Sequence, residues 1–565
     1  MNEFVLVFVM ALLLGWPLGR YLAAVMRGEP MRGDAVFGWI ERPLYRLLGT
    51  DPARGMTWRG YARAFLLSNL VLALPVWLLL MTQGSMPLNP NGAPGMSWDL
   101  ALHTMVSFLT NTNQQHYSGQ AQLSYLSHMA AIVALQVVTP MMGLALVAAT
   151  LRGLFGGRNP TTRRADEAVD VGNYWADVIR PTFRFFLPLL LVWSVALTSQ
   201  GVPATLDGGP TVTTLDAKPE PHTQKIPLGP VSPMVAVKQL GTNGGGWYGP
   251  NSSVPLENPT PLSNLLQSLA IILIPVSIAF MVGPFTGRQR FAGLVVGSML
   301  LMSLVSAGFA VWSEAYSPSS TSLALMEGKE VRFGAAPSAL WAALTTQTSN
   351  GSVNAMHDSL APLTGLVPIV NMLINGIWGG IGSGLQQWLA YLMIGVFLAG
   401  LMTGRTPELF GRKIEAPEVK LLGALVLLQP LLLLGFTAIS LVVPSLTANS
   451  NPGFHGISQV FYEYTSAFAN NGSGFEGLGD NTLWWNLSCV LLLALGRYPA
   501  LVLPLAVAAM LAAKRRAPEG SGSLQVETPT FALTLVGVIV ILTLLQFMPV
   551  LVLGPVAEHL SLSAP

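Results

Sequence analysis

Four segments rich in glycine and asparagine carry the chemistry most worth examining in this 565-residue chain. They read TNTNQQHYSG (Thr110–Gly119), GTNGGGWYG (Gly241–Gly249), QTSNGSVNAMHDS (Gln347–Ser359) and ANNGSGFEGLG (Ala469–Gly479). Glycine adopts positive φ freely and asparagine does so better than most residues, so such segments can turn backbone carbonyls to one side. Carbonyl oxygens so arranged can replace the hydration shell of a cation. Carbonyl chemistry, rather than a ring of carboxylates, favours a monovalent cation over calcium or magnesium. Each segment follows a short amphipathic stretch, at about 99–109, 233–240, 338–346 and 457–469. These are too short to cross a bilayer and suit re-entrant helices, whose negative C-terminal dipole ends would face an ion. Glycine and asparagine are also ordinary in polar loops. Four such loops in one context form a repeat. Superposing SFLTNT on SAFANNG pairs Phe108 with Phe468 and Asn111 with Asn471, and Asn243 and Asn350 take the same place.

Long apolar runs must position these segments. The chain is 51% hydrophobic and 10% charged, against roughly 25% charged in a soluble domain. It reads as a polytopic membrane protein with ten spans, at about 4–26, 62–82, 124–150, 176–198, 262–284, 291–313, 363–403, 421–444, 482–513 and 530–556. The first is a retained helix, lacking the basic start and small-residue cleavage site of a signal peptide. Basic residues cluster in alternate loops: Arg20, Arg27, Arg32 and Arg42 after the first span, Arg152, Arg158, Arg163 and Arg164 after the third, Arg405, Arg412 and Lys413 after the seventh. The opposite loops hold Lys218, Lys225, Lys238, Lys329 and Arg332. The positive-inside rule then puts both termini and all four Gly/Asn segments outside. The expected fold is an all-α polytopic membrane protein with four pseudo-repeated helix–pore loop–helix units around a central pore. The units cover 62–151, 176–286, 291–404 (with an interrupted second helix) and 421–514, flanked by 1–61 and 530–565.

Other residues stand out against this frame. GGIGSG (Gly379, Gly380, Gly382, Ser383 and Gly384 among them) interrupts the seventh span. Such a break is tolerated at membrane depth only where protein or a cavity covers it, so it reads as a gating loop or a packing kink. Arg497 lies deep in the ninth span. A charge there is expensive and marks a functional candidate, the alternative being a snorkelling or carbonyl-satisfied side chain. His116 and His357 have no His or Cys three or four residues away, so they read as loop residues, with His357 and Asp358 bracing their segment. Cys489 is the single cysteine, which excludes an internal disulfide. The net charge of +2 gives no reason to expect a nucleic-acid partner. No G-x-x-x-x-G-K-[ST] loop is present, and the longest segment on the basic side, about 35 residues, is too small for a nucleotide-binding domain. If transport is ATP-driven, another chain supplies the ATPase. The spans lack carboxylates for a proton relay, while sodium coupling stays open.

The motifs TNTNQQHYSG, GTNGGGWYGPNSSVPLENPT, SVNAMHDS, GGIGSG, GRTPELFGRKI, ANNGSGFEGL and LGPVAEHL run the length of the chain. They closely resemble the potassium-binding, channel-like A subunits of the bacterial Kdp potassium pump. The resemblance implies a non-catalytic subunit in the bacterial cytoplasmic (inner) membrane. It implies assembly with a P-type ATPase B subunit, a single-span C subunit and a small single-helix peptide, with ATP bound only by the partner and no organic cofactor. Potassium, rather than sodium, rests on this resemblance. It places the filter at Thr110, Asn111 and Thr112, at Thr242, Asn243 and Gly244, at Asn350 and Gly351, and at Asn470, Asn471 and Gly472. Gln115 matches a filter-mouth glutamine that influences affinity. The family's usual tryptophan before it is Gln114 here, a change expected to alter packing behind the filter. Ser383 matches a marked serine of the obstructing loop, and Asn375 stands where the family has a glutamate. Arg497 and Arg405 match residues of the coupling region. The alternative readings are a stand-alone potassium channel and a sodium-coupled carrier of the same superfamily.

Overall fold

The computed structural model describes residues 2–31, 33–156, 169–215, 223–317, 323–447, 449–518 and 524–563. Arg32, Arg158, Arg163, Arg164 and Lys218 of the orientation argument lie outside them. Among the described residues, ten helices are long and apolar enough to cross a membrane. Their boundaries follow local signals. Thr57 caps α3 (Trp58–Thr82) by accepting from the Gly60 amide at 3.2 Å. Thr260 and Ser263 form a reciprocal capping box at the start of α8 (Pro261–Thr286), which ends at Gly287 in the left-handed conformation, φ 75°.

Each repeat is an outer span, a pore helix, a Gly/Asn segment and a returning span. Unit one is α3, α4 (Trp98–Leu109) and α5 (Tyr125–Phe155). Unit two is α6 (Tyr174–Ser199), α7 (Val231–Leu240) and α8. Unit three is α9 (Gln289–Tyr316), α10 (Ala335–Gln347), α11 (Pro362–Ile374) and α12 (Ser383–Met402). Unit four is α13 (Ala416–Val442), α14 (Phe454–Phe468) and α15 (Leu483–Ala512). The chain ends in α16 (Pro529–Leu551) and a short continuation through Ala557–Ser563. The seventh expected span is thus two helices. Asn375, at φ 46°, ends α11, and Gly379 and Gly382, at φ 61° and 80°, turn the chain into α12. A feature not anticipated is an amphipathic helix, α2 (Asp34–Leu47), held to unit two where Arg184 bonds Glu41 at 2.6 Å and Asp34 at 2.6 Å.

The returning spans form the core and the outer spans face out. The apolar window of α8 is 83% buried and that of α13 only 22%. Outward leucines and valines, such as Leu66, Leu67, Leu70, Val71 and Leu74 on α3, make contiguous apolar faces that water would not tolerate. The first helix, α1 (Asn2–Arg27), packs along α8 through Gly15 and Gly19, four apart on one face. A Cβ on Gly19 would collide with the Ser277 carbonyl and the Phe280 side chain.

At the pore-loop face, His455 at the start of α14 bonds Asp358 of unit three at 2.8 Å and Glu558 of the C-terminal segment at 2.9 Å. Of the two residues expected to brace their segment, Asp358 pairs with His455, and His357 bonds the Tyr462 hydroxyl at 2.9 Å. Partial burial pulls the His455 imidazole down, but its two carboxylate hydrogen bonds outweigh this and lift it to about 10.

Two outcomes follow. Gly19→Leu should lower the thermal midpoint of the detergent-solubilised protein, since overpacking costs about 1–3 kcal/mol; an unchanged midpoint would show that the α1–α8 seam yields easily. His455 has a folded pKa above its unfolded value near 6.5, so its contribution is complete below that pH and lost as pH rises toward about 10. The thermal midpoint should therefore fall between pH 7 and 10, and His455→Gln should flatten that part of the profile.

Candidate ion-filter site

The end of each pore helix fixes the register of the segment after it. A carbonyl in the last turn accepts the amide five residues on: Thr112 N to Ser107 O at 3.0 Å, Asn243 N to Lys238 O at 3.0 Å, Asn350 N to Thr345 O at 2.8 Å and Asn471 N to Ser466 O at 2.9 Å. Positive φ falls just before and just after that residue. It occurs at Asn111, Thr242, Ser349 and Asn470 (62°, 48°, 50°, 55°) and again at Asn113, Gly244, Gly351 and Gly472 (57°, 70°, 88°, 100°). Thr112, Asn243, Asn350 and Asn471 are therefore equivalent, and Phe108 matches Ala467. The pairing of Asn111 with Asn471 from the sequence is one residue out, because matching asparagine to asparagine ignores the helix end that sets the count. Asn113 and Ser349 were missed for the same reason. A left-handed β-branched Thr242 is a strained conformation that its surroundings must hold.

The four segments brace one another in a closed ring. Asn111 Nδ2 donates to Thr242 O at 3.0 Å and Asn113 Nδ2 to Gly244 O at 3.2 Å, joining unit one to unit two. Asn350 Nδ2 reaches back to Lys238 O, and Asn471 Nδ2 to Thr345 O, both at 2.9 Å. Asn470 Nδ2 donates to Thr112 Oγ1 at 3.0 Å, and that hydroxyl lies 2.8 Å from Thr110 Oγ1. The glycines mark where backbones meet. A Cβ on Gly244 would collide with Asn350 O, one on Gly351 with Asn471 O, and one on Gly472 with Thr112 O. Gln115 spans the mouth between units one and two, accepting from Gly246 N at 2.7 Å and donating to Gly246 O at 3.2 Å.

Beneath the ring lies the break in unit three. Thr242 Oγ1 accepts from Ile381 N at 3.0 Å, and Gln347 O accepts from Gly379 N at 2.7 Å. Asn375 accepts from Ser349 Oγ at 2.7 Å and donates to Ala469 O at 3.2 Å. The loop thus touches the segments of units two, three and four. Gly380 sits against the Ser383 hydroxyl, and Gly384 against Trp378 and Gly379. Arg497 is buried, with its guanidinium against Gly143 of α5, which also abuts the Ile381 carbonyl. Arg405 is not part of this assembly; it is exposed in the turn beyond the far end of α12.

Behind the ring the protein is polar. Gln114 is buried, bonded to Glu463 and 3.2 Å from His103 Nε2. In unit two, Lys238 is fully buried, paired with Glu257 and 2.5 Å from Asn251 Oδ1, while Glu257 accepts from Tyr248 N at 3.0 Å. Lys238, counted from the sequence among the outer-loop cations, thus lies buried on α7, and its pairing with Glu257 was not expected because the two lie 19 residues apart on a helix and a loop. Above the ring is a cavity of about 430 Å³ lined in part by Gln115, His116, Tyr117, Glu476 and Asp480. Burial pushes the Glu476 carboxyl up to about 8 and that of Asp480 to about 6.

Re-entrant helices ending on a shared ring, with a broken span packed against it, define a multi-pass membrane protein of the helix–pore–helix class. The chain belongs to the potassium-transporting ATPase A subunit family, which it matches over residues 5–560. It is 46% identical over 557 residues to the potassium-transporting ATPase potassium-binding subunit of Gloeobacter violaceus, covering 96% of this chain and 95% of that one. It is 45% identical over 565 residues to the subunit of the same description in Pseudomonas putida, covering 98% of each. Among solved structures, the potassium transporter TrkH from Vibrio parahaemolyticus aligns over 88% of this chain and 96% of its own, with TM-score 0.49 and 15% identity.

Gly351→Ala should abolish or sharply reduce ion-stimulated activity of the assembled complex, because it meets Asn471 O at a left-handed position. Gly453→Ala has a similar φ of 79° but open space around it, and should cost only the conformational strain of about 1–2 kcal/mol. Equal effects in a titration of activity against potassium would refute the close approach as the constraint.

Proposed function

We propose that this chain is the potassium-binding and translocating subunit of an ATP-driven uptake system. The observation that carries this reading is the closed ring, in which four helix ends present backbone at positive φ and three glycines leave no room for a Cβ. Its filter residues are Thr110, Asn111, Thr112, Thr242, Asn243, Gly244, Asn350, Gly351, Asn470, Asn471 and Gly472, extended to Asn113 and Ser349, with Gln115 setting the mouth. Carbonyl oxygens here replace the potassium hydration shell. The four units at 62–151, 176–286, 291–404 and 421–514 form the transport core.

The loop through Gly379, Gly380, Gly382, Ser383 and Gly384 obstructs straight passage and diverts the ion toward a P-type ATPase B subunit, which alone binds ATP. Arg497, beside that loop, repels a cation from the wrong route and couples passage to the partner; Arg405 contacts the complex from its exposed turn. A single-span C subunit and a small single-helix peptide complete the assembly in the bacterial inner membrane. Both termini and the pore loops face outside, a reading that the basic loops on the other side support through the positive-inside rule.

The chain should co-purify with an ATPase whose hydrolysis potassium stimulates and sodium does not. Passive potassium conduction by the chain alone in liposomes would favour a channel or sodium-coupled carrier instead. Gly244→Asp should damage potassium affinity or selectivity, and unchanged rubidium uptake would refute the filter assignment. Arg497→Ala should lower the ratio of ions moved to ATP hydrolysed more than it lowers potassium affinity; an unaltered ratio would leave Arg497 a structural residue.

A further inference from the structure

Units one and four meet at the seam where the ring closes, and there the chain gathers three metal-ligating groups. His116 follows the filter segment of unit one, Glu463 stands on pore helix α14, and Cys489 stands on α15. Their ligand atoms all lie within 4.8 Å of one another, and all three side chains are buried. No other such group of His, Cys, Asp or Glu occurs among the described residues. Local spacing could not reveal it, because the ligands come from three separate elements.

The surroundings fit a bound cation. His116 Nδ1 lies 2.7 Å from Asn486 Oδ1, and Asn486 Nδ2 donates to Asp99 Oδ2 at 2.9 Å. With Nδ1 held by Asn486, the nitrogen that faces Glu463 Oε1, at 3.3 Å, is Nε2, which ligates on giving up its proton. The His103 ring stacks on His116 at 3.7 Å between centroids, and its own Nδ1 is buried without a hydrogen-bond partner. The cavity above the filter reaches His116 and is also lined by Glu476 and Asp480, which gives a cation a polar way in.

We propose that His116, Glu463 and Cys489 form a zinc site separate from the ion filter. One imidazole nitrogen, one carboxylate oxygen and one thiolate make a borderline-soft donor set suited to Zn²⁺, with water as the fourth ligand. Binding displaces two protons to water in the cavity, one from the Cys489 thiol and one from His116 Nε2, which faces Glu463 Oε1 in the metal-free protein. The bound ion clamps α14 and α15 of unit four to the segment after the unit-one filter, so external zinc restrains the ring and slows transport.

The test uses the purified protein with its co-purifying subunits and Cd²⁺ as the optical stand-in for Zn²⁺. Cadmium should give ultraviolet thiolate-to-metal absorption at one equivalent above that of Cys489→Ser, and added Zn²⁺ should displace it. Glu463→Gln should weaken Cd²⁺ binding by about tenfold. Potassium-stimulated hydrolysis in metal-free buffer checks that each variant is folded. Identical cadmium absorption in folded Cys489→Ser, or no absorption assignable to Cys489, would overturn the proposal and leave the cluster a hydrogen-bonded seam.

Discussion

The structure depends on one constraint: backbone groups at membrane depth must be satisfied within the protein or by an ion. A helix meets it alone, but each pore helix here ends partway through, and the chain after it runs irregularly. The protein pairs those amides with the last turn of the same helix and sends asparagine amides to carbonyls of the neighbouring unit. The glycines then bring backbone of neighbouring units together, Gly244 against Asn350 O, Gly351 against Asn471 O and Gly472 against Thr112 O. An uncompensated buried dipole costs on the order of several kcal/mol, so a weakly hydrated cation is a natural complement to such a group.

The need to brace this ring explains the unusual number of buried polar residues behind it. Lys238 with Glu257, and Glu463 with His116 and Gln114, put charges where a soluble protein would put leucine. Breaking one partner of such a pair leaves an uncompensated charge, at about 3–5 kcal/mol. Their value lies in position, since each carries a filter segment or pore helix at one end and a different element at the other. Unit two uses Lys238 where the other units have Ser107, Thr345 and Ser466, so the four seams are chemically distinct.

Much of the fold was legible because it is written in long-range composition. Apolar runs set ten spans, and short amphipathic stretches between them marked the pore helices to within a few residues. The interruption at Gly379–Gly384 was visible as a glycine cluster, although its true start, at Asn375, was not. Register within the filter was harder. Asn111 and Asn471 look alike but sit one place apart, since the helix-end hydrogen bond, not residue identity, fixes the count. Asn113 and Ser349 escaped notice with it, since the equivalents of Asn113 are three glycines and those of Ser349 are a threonine and two asparagines. Clusters such as His116, Glu463 and Cys489 depend on which units become neighbours, and no local pattern encodes that. Arg405 and Arg497 were paired by motif alone, yet one is exposed and the other buried against the loop.

The direct braces within the ring run between backbone and short side chains of adjoining units. Among the described residues no outer-loop residue joins those braces; the outer loop of unit three meets its segment farther along, where Met356 N donates to Gly328 O at 2.7 Å. The arrangement works like a barrel hoop, in which each stave is held by its neighbours and their lengths above and below are of no concern. The connections between span and pore helix can therefore lengthen, shorten or acquire hairpins, as the one at Thr211–Lys225 has, without loosening the hoop. A single residue added inside any one filter segment would have to be absorbed by all four.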